Sequence, residues 1–187
     1  MRSRRAGSTG ASALGSGSGR CPGETPTVTA VELRTTAYDH PDAAKLIAEV
    51  QQEYVRRYGD QDVTPVDPAE FASPNGLFLV GYLDDEPVCC GGWRAHDGPL
   101  PDFQVGDAEW KRMYVVPAAR GRGLARAVLA ELERTALAAG RRRAVLETGT
   151  EQPEALALYA SSGYARIPSF GHYKDHPESR CFAKLLE

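Results

Sequence analysis

No apolar run in this 187-residue chain approaches the ~20 residues a helix needs to cross a bilayer, so a helical membrane protein is not expected. Arginines stand at positions 2, 4 and 5, but residues 11–19 behind them are almost all Gly, Ser and Ala. They give no apolar core for a secretory leader, and a reducing cytoplasm is the expected compartment. The four cysteines, at 21, 89, 90 and 181, lack metal-ligand spacing, and the four histidines share no helix face, so no metal is expected. Cys89 and Cys90 should point to opposite faces of a strand as small packed or surface residues; the alternative is a catalytic thiol. There is no Gly-x-x-x-x-Gly-Lys-Ser/Thr run and no internal repeat. Gly121 and Gly123 are followed by Arg126 where a dinucleotide fingerprint needs a third glycine.

Basic charge is scarce where it would matter for nucleic acid. Four of the 22 basic residues and none of the 25 acidic ones lie in the first twenty positions, so the rest of the chain carries −7 rather than −3. Nucleic acid is therefore not the expected partner, and a cationic substrate suits the folded part better. Residues 1–26 offer almost no apolar surface to offset ordering entropy and read as a disordered, passive tail. With 42% hydrophobic and 25% charged residues, positions 27–187 form one domain with enough sequence for a core.

Hydrophobic periodicity gives the order of elements. Thr27 to Arg34 alternates and reads as a strand. Asp39 can cap a helix with Pro41 in its first turn and Ala44, Ile47, Ala48, Val50 and Val55 at helical spacing. An acidic loop over 59–68 precedes a short helical segment at 67–71. Leu77–Leu83 and Pro87–Trp93, joined by Asp84-Asp85-Glu86, form a hairpin. A strand over 106–116 then enters an Arg/Gly turn. Leu124, Val128, Leu132 and Leu137 give the next helix one apolar stripe ended by Gly140. A short strand over 143–148, a helix from Gln152 and Pro153 to Gly163, and strands at 164–167 and 180–185 complete the chain. Antiparallel strands leading into one βαβ crossover predict an α+β domain with a mixed, mostly antiparallel sheet of six or seven strands and about four helices.

The stretch Met113-Tyr114-Val115-Val116-Pro117-Ala118-Ala119-Arg120-Gly121-Arg122-Gly123-Leu124-Ala125 carries the most information. A strand, a glycine turn and a helix start place bare amides and arginines where a diphosphate can sit. An ordinary strand-to-helix connection with solvated arginines would use the same residues. Val-x-Pro-x-x-Arg-Gly-x-Gly-x-Ala, from Val115 to Ala125, resembles the acetyl-CoA pyrophosphate loop of the GNAT N-acetyltransferases. Glu147-Thr148-Gly149 and Ala155 to Tyr164, with Leu158-Tyr159 and Gly163-Tyr164, are similar to that family's following strand and helix. Glu109 to Val115 resembles the strand entering the loop. The likeness spans residues 76–187 and extends more weakly back to 28.

That resemblance implies a transferase that carries acetyl from acetyl-CoA directly to a primary amine of a small molecule or peptide, without metal or membrane, in a chain that can pair as a homodimer. The amides and side chains of Arg120, Gly121, Arg122, Gly123, Leu124 and Ala125 would bind the cofactor together with the end of the strand at Met113, Tyr114 and Val115, where a bulge near Met113 or Tyr114 would supply an amide for the carbonyl oxygen. Gln152 stands where many members have a CoA-contacting asparagine. For Arg126 and Arg141 to Arg143, a solvated basic face is expected. Glu109 is the candidate base, its alternative being a rim carboxylate paired with Lys111; Tyr159 is the candidate acid for the leaving thiolate. An alkyl ammonium with a pKa of ~10.4 holds its proton at neutral pH, so a base is needed. Tyr54, Tyr58, Trp93, Phe103 and Tyr173 are candidate acceptor walls, Glu53, Asp60 and Asp62 candidate ammonium partners, and Pro168 to Pro177 a candidate specificity loop. A non-catalytic acyl-CoA-binding module, a nicotinamide oxidoreductase and transfer to oxygen are the competing functions.

Overall fold

The computed structural model describes residues 30–98 and 102–187, so the expected tail at 1–26 lies outside the described residues. Among them, seven strands form one sheet: β1 Glu32–Thr36, β2 Gly76–Leu83, β3 Glu86–His96, β4 Asp107–Val115, β5 Arg143–Gly149, β6 Ala165–Ile167 and β7 Ser179–Leu185. Their order is β1-β2-β3-β4-β5-β7-β6, antiparallel throughout except for the parallel β4–β5 pair. Helices α1 (Pro41–Tyr58), α2 (Leu124–Ala138) and α3 (Pro153–Ser161) cover it; the fourth expected helix is a 3₁₀ turn at Pro68–Phe71. The crossover β4–α2–β5 is the predicted βαβ unit.

The pleat sorts side chains between two cores. Leu79, Cys89 and Trp93 pack with Val128, Leu129 and Leu132 of α2. Phe78, Val80 and Cys90 pack with Ala43, Leu46 and Val50 of α1. Cys89 and Cys90 do separate to opposite faces, both fully buried, and burial pushes the Cys89 thiol up to about 11. A thiol held that far above neutrality is packing material, not a nucleophile.

Three local expectations shift. The first strand runs Glu32–Thr36, paired with β2 from Glu32 opposite Tyr82 to Thr36 opposite Phe78; residues 27–29 of the expected strand lie outside the described residues, and residues 30 and 31 are not in a strand. His40 replaces Asp39 as the α1 cap, its Nδ1 accepting from the Asp42 amide at 3.2 Å. The hairpin turn is two residues, Asp84 and Asp85, both with positive φ (50° and 63°), which matches the strand twist and leaves Glu86 in β3.

Candidate functional site

The β4–β5 ladder stops at Trp110 opposite Leu146. Beyond it β4 stays with β3 and β5 stays with β7, so the two strands diverge and their facing edges lose each other's hydrogen bonds. In β4, Lys111 pairs with Gly92 and Tyr114 with Cys90, leaving Arg112 and Met113 opposite Gly91. This is a bulge, with Arg112 at φ 56°, one residue before the expected Met113–Tyr114 position. Arg112 is 6% exposed and its guanidinium pairs with Asp62; that ion pair ties the loop after α1 to the bulge.

The turn after β4 has the predicted form. Gly121 and Gly123 have φ of 76° and 78°, and Gly123 starts α2 without a side-chain cap. The first backbone amide after it with a helical partner is that of Ala127, bonded to Gly123 O at 3.1 Å. Preceding amides therefore point out of the helix start, toward the exposed face of Gly121, Arg122 and Gly123. Leu124 is buried and Ala125 half-buried, so each can serve a ligand only through its backbone. Arg120 folds back: its Nε donates to Val115 O at 3.0 Å and its Nη2 lies 3.4 Å from Glu53. Arg122, exposed like Arg120, has no side-chain hydrogen bond or ion pair among the described residues. Arg126 is exposed, as expected, and reaches across to Ser161 and Ser162 at the end of α3.

Where β4 and β5 part, a cavity of about 330 Å³ opens on the α1 side of the sheet. Tyr54, Tyr58 and Tyr173 line it as predicted, joined by Trp110; so do Asp60 and Asp62. Trp93 and Phe103 do not. Trp93 is in the α2 core with its indole donating to Thr135 Oγ1 at 3.1 Å, and Phe103 stacks on His96 at 3.7 Å. Glu53 is engaged by Arg56, Arg57 and Arg120, away from the cavity. Gln152 lines the cavity and its Nε2 donates to Tyr58 Oη at 3.2 Å, an engagement the expected cofactor contact did not include. Gly149 is required at its place, since a Cβ there would sit 2.1 Å from that same Tyr58 hydroxyl.

Glu109 needs correction as the base. It is 2% exposed, inside the sheet between the cations Arg94 and Lys111 and the His96 ring rather than at a rim. Lys111 Nζ lies 2.8 Å from Oε1; Arg94 Nε and His96 Nε2 lie 2.8 and 2.9 Å from Oε2. Burial alone would raise its pKa, but Lys111, the His96 hydrogen bond and Arg94 outweigh it and hold the carboxyl far below the usual glutamate range. Such a group keeps its negative charge and does not collect protons at neutral pH. Tyr159 is 6% exposed, its hydroxyl 3.5 Å from Met113 Sδ, and burial raises its pKa, so it stays protonated at neutral pH.

The sequence also missed Glu147, which it noted only as part of a strand. Glu147 lines the cavity on β5 just past the last paired residue. A periodic pattern cannot show this, because the residue is exposed to the cavity only where its neighbour strand leaves.

Two loops flank the cavity, 59–66 and 168–178, and the Tyr173 hydroxyl joins them by accepting from the Val63 amide at 2.9 Å. Tyr173→Phe should cost about 0.5–1.5 kcal/mol of that closure, seen as a roughly 2- to 10-fold rise in acceptor KM with coenzyme A affinity unchanged. Steady-state kinetics beside a coenzyme A titration would check it.

Comparisons with known proteins bear on the family and the fold. A family model described as the acetyltransferase (GNAT) family matches residues 44–164. The chain is 36% identical over 121 residues to an IAA acetyltransferase of Azospirillum brasilense, covering 65% of this chain and 75% of that protein. It is 32% identical over 143 residues to the uncharacterized N-acetyltransferase YjgM of Escherichia coli K12, covering 73% and 83%. Among solved structures, a Klebsiella pneumoniae protein assigned as an acyl-CoA N-acyltransferase superposes with TM-score 0.67 at 28% identity, over 84% of this chain and 98% of that one. The PaiA N-acetyltransferase of Thermoplasma acidophilum, solved with coenzyme A, shares the fold with TM-score 0.62 at 14% identity, over 83% and 99%.

Proposed function

We propose that this chain, which belongs to the acetyltransferase (GNAT) family, moves an acetyl group from acetyl-CoA to the primary amine of a small cationic molecule. The family makes it an acyltransferase; the cavity where β4 and β5 diverge carries the choice of acceptor. Its acids are Asp60, Asp62, Glu147 and Glu178, while its cations Lys111 and Arg112 are each held by a carboxylate, Glu109 and Asp62. The remaining field is negative and favours an ammonium. At about 330 Å³, near the lower end of ligand pockets, and flanked by two joined loops, the space suits a compact amine.

Bound acetyl-CoA supplies the activated thioester. The amides at the start of α2 hold its diphosphate, aided by the helix dipole by ~0.3–2 kcal/mol, with Arg122 free to add a charge-assisted hydrogen bond. The unpaired edges past Trp110 and Leu146 offer backbone donors and acceptors to its amide-bearing arm. In the bulge at Arg112–Met113, an amide turned from the regular ladder donates to the carbonyl oxygen as charge builds there. Tyr159 gives its proton to the departing sulfur.

Incubating the protein with acetyl-CoA and panels of monoamines, polyamines, amino acids, aminoglycosides and peptide N-termini should release free thiol with one or more small amines. Silence across every panel would overturn the proposal. Tyr159→Phe should lower kcat by ~10²–10⁴-fold while leaving coenzyme A affinity near wild type. Equal losses in both would remove Tyr159 from the acid's role.

A further inference from the structure

We infer that Glu147, not Glu109, takes the proton from the acceptor's ammonium group. This rests on the N-acetyltransferase reading above and names the group that makes the amine nucleophilic. Three observations carry it. Glu147 lines the cavity at the point where β5 leaves β4. Among the described residues it has no ion pair, whereas the cavity's Asp62 is committed to Arg112 and Glu109 behind it to Lys111. Its Oε1 is held by the Ser179 hydroxyl, which donates at 2.6 Å, while no hydrogen bond engages Oε2 among the described residues. One oxygen is fixed and the other is open.

The surroundings set its basicity. Burial raises its pKa above the ordinary glutamate value; Asp62 from the loop after α1 and Glu109 from β4 push the same way, and the Ser179 hydroxyl and Lys111 oppose them. The Tyr173 hydroxyl from the β6–β7 loop and the Cys181 thiol on β7 also face it, both protonated at neutral pH because burial raises their pKa. The two glutamates are thus moved in opposite directions: Glu109 sits between two cations, Arg94 and Lys111, and a His96 hydrogen bond, whereas Glu147 meets one cation against two carboxylates.

The step balances as follows. An ammonium N–H bond breaks, its proton passes to Glu147 Oε2, and its electron pair stays on nitrogen. That pair forms the C–N bond to the thioester carbonyl carbon. The C–S bond breaks with its pair on sulfur, which takes the Tyr159 proton. The proton shed by the new amide nitrogen restores Tyr159, and the one on Glu147 returns to water. Glu147 touches the reacting nitrogen; Ser179 is a positioning residue.

The test is the pH profile of kcat/KM with acetyl-CoA and whichever panel amine releases most thiol. In the wild type, activity should fall as pH drops through a pKa above the usual glutamate range, because the base becomes protonated. Glu147→Gln should lose that limb, lower kcat/KM at pH 7 by ~10²–10⁴-fold, and recover as rising pH frees the amine in solution. Coenzyme A affinity should stay unchanged, and Glu147→Asp should restore the limb at reduced rate. Should Glu147→Gln fail to fold, Ser179→Ala serves: losing the hydroxyl's hydrogen bond should move the limb to higher pH. An unmoved limb in Ser179→Ala, or wild-type kcat/KM in Glu147→Gln, would overturn the assignment. Wild-type kcat/KM in Glu147→Gln sinks only this inference; a wild type inert toward every amine sinks the acetyltransferase reading itself.

Discussion

Glu109→Ala is expected to destabilise the fold by about 3–5 kcal/mol, a drop in Tm on the order of 10 °C, because it leaves the buried Lys111 without a counter-charge and Arg94 with Glu70 alone. Arg94 and Lys111 are 12% and 8% exposed at their side chains, and His96 9%, so water cannot replace the lost carboxylate. Glu109→Gln should fall in the same direction, since an amide presents donors as well as an acceptor to groups that need only acceptors. The pH dependence has a definite sign. Folding depresses the Glu109 pKa below its unfolded value of ~4.3, so its contribution is fully present above that value and is lost as pH falls toward the folded pKa. Urea titrations at pH 7 and pH 4 should show the wild type losing stability on acidification and Glu109→Ala losing less. A variant whose midpoints matched the wild type at both pH values would show that the cluster contributes nothing. Any loss of activity in the variant should track the folded fraction, unlike Glu147→Gln, where folded protein is slow.

The contrast between these glutamates shows what a sequence can and cannot disclose. The turn between β4 and α2 was legible because its parts are contiguous: Arg120 to Ala125 make it by themselves, and positive φ at two glycines is a local property. The alternation of β2 and β3 revealed the hairpin, and with it the sorting of Cys89 and Cys90. Glu109 is different. Its partners Arg94 and His96 come from β3, and their register depends on a two-residue turn at Asp84-Asp85 and a bulge at Arg112. Sliding the pairing by one residue would send the carboxylate to the other face. Only Lys111, two residues away on the same strand, could be paired with it by spacing. The cavity needs α1, two loops and the ends of β4, β5 and β7 at once, and an aromatic such as Trp93 looks the same in sequence whether it lines that space or packs beneath α2.

The double variant Gly121→Val, Gly123→Val should abolish measurable coenzyme A binding while leaving the rest of the domain folded. Both glycines lie in the left-handed region, which a branched side chain tolerates poorly, at ~1–2 kcal/mol per residue. Space is not the obstacle: a Cβ at either position would meet nothing within 4 Å. The backbone itself must therefore change, either bearing the strain or rotating the exposed amides away from the ligand. Charge-assisted hydrogen bonds contribute about 1.5–3 kcal/mol each, so misaiming two of them weakens binding by roughly 10²–10⁴-fold. Arg120→Ala should do much less, since that side chain is turned back onto Val115 O and Glu53. Calorimetric titration of each variant with coenzyme A, beside circular dichroism to confirm the fold, would rank them. Full affinity in the double-valine protein would mean that the start of α2 does not hold the diphosphate, and both the acid and the base assigned to this site would lose the substrate they serve.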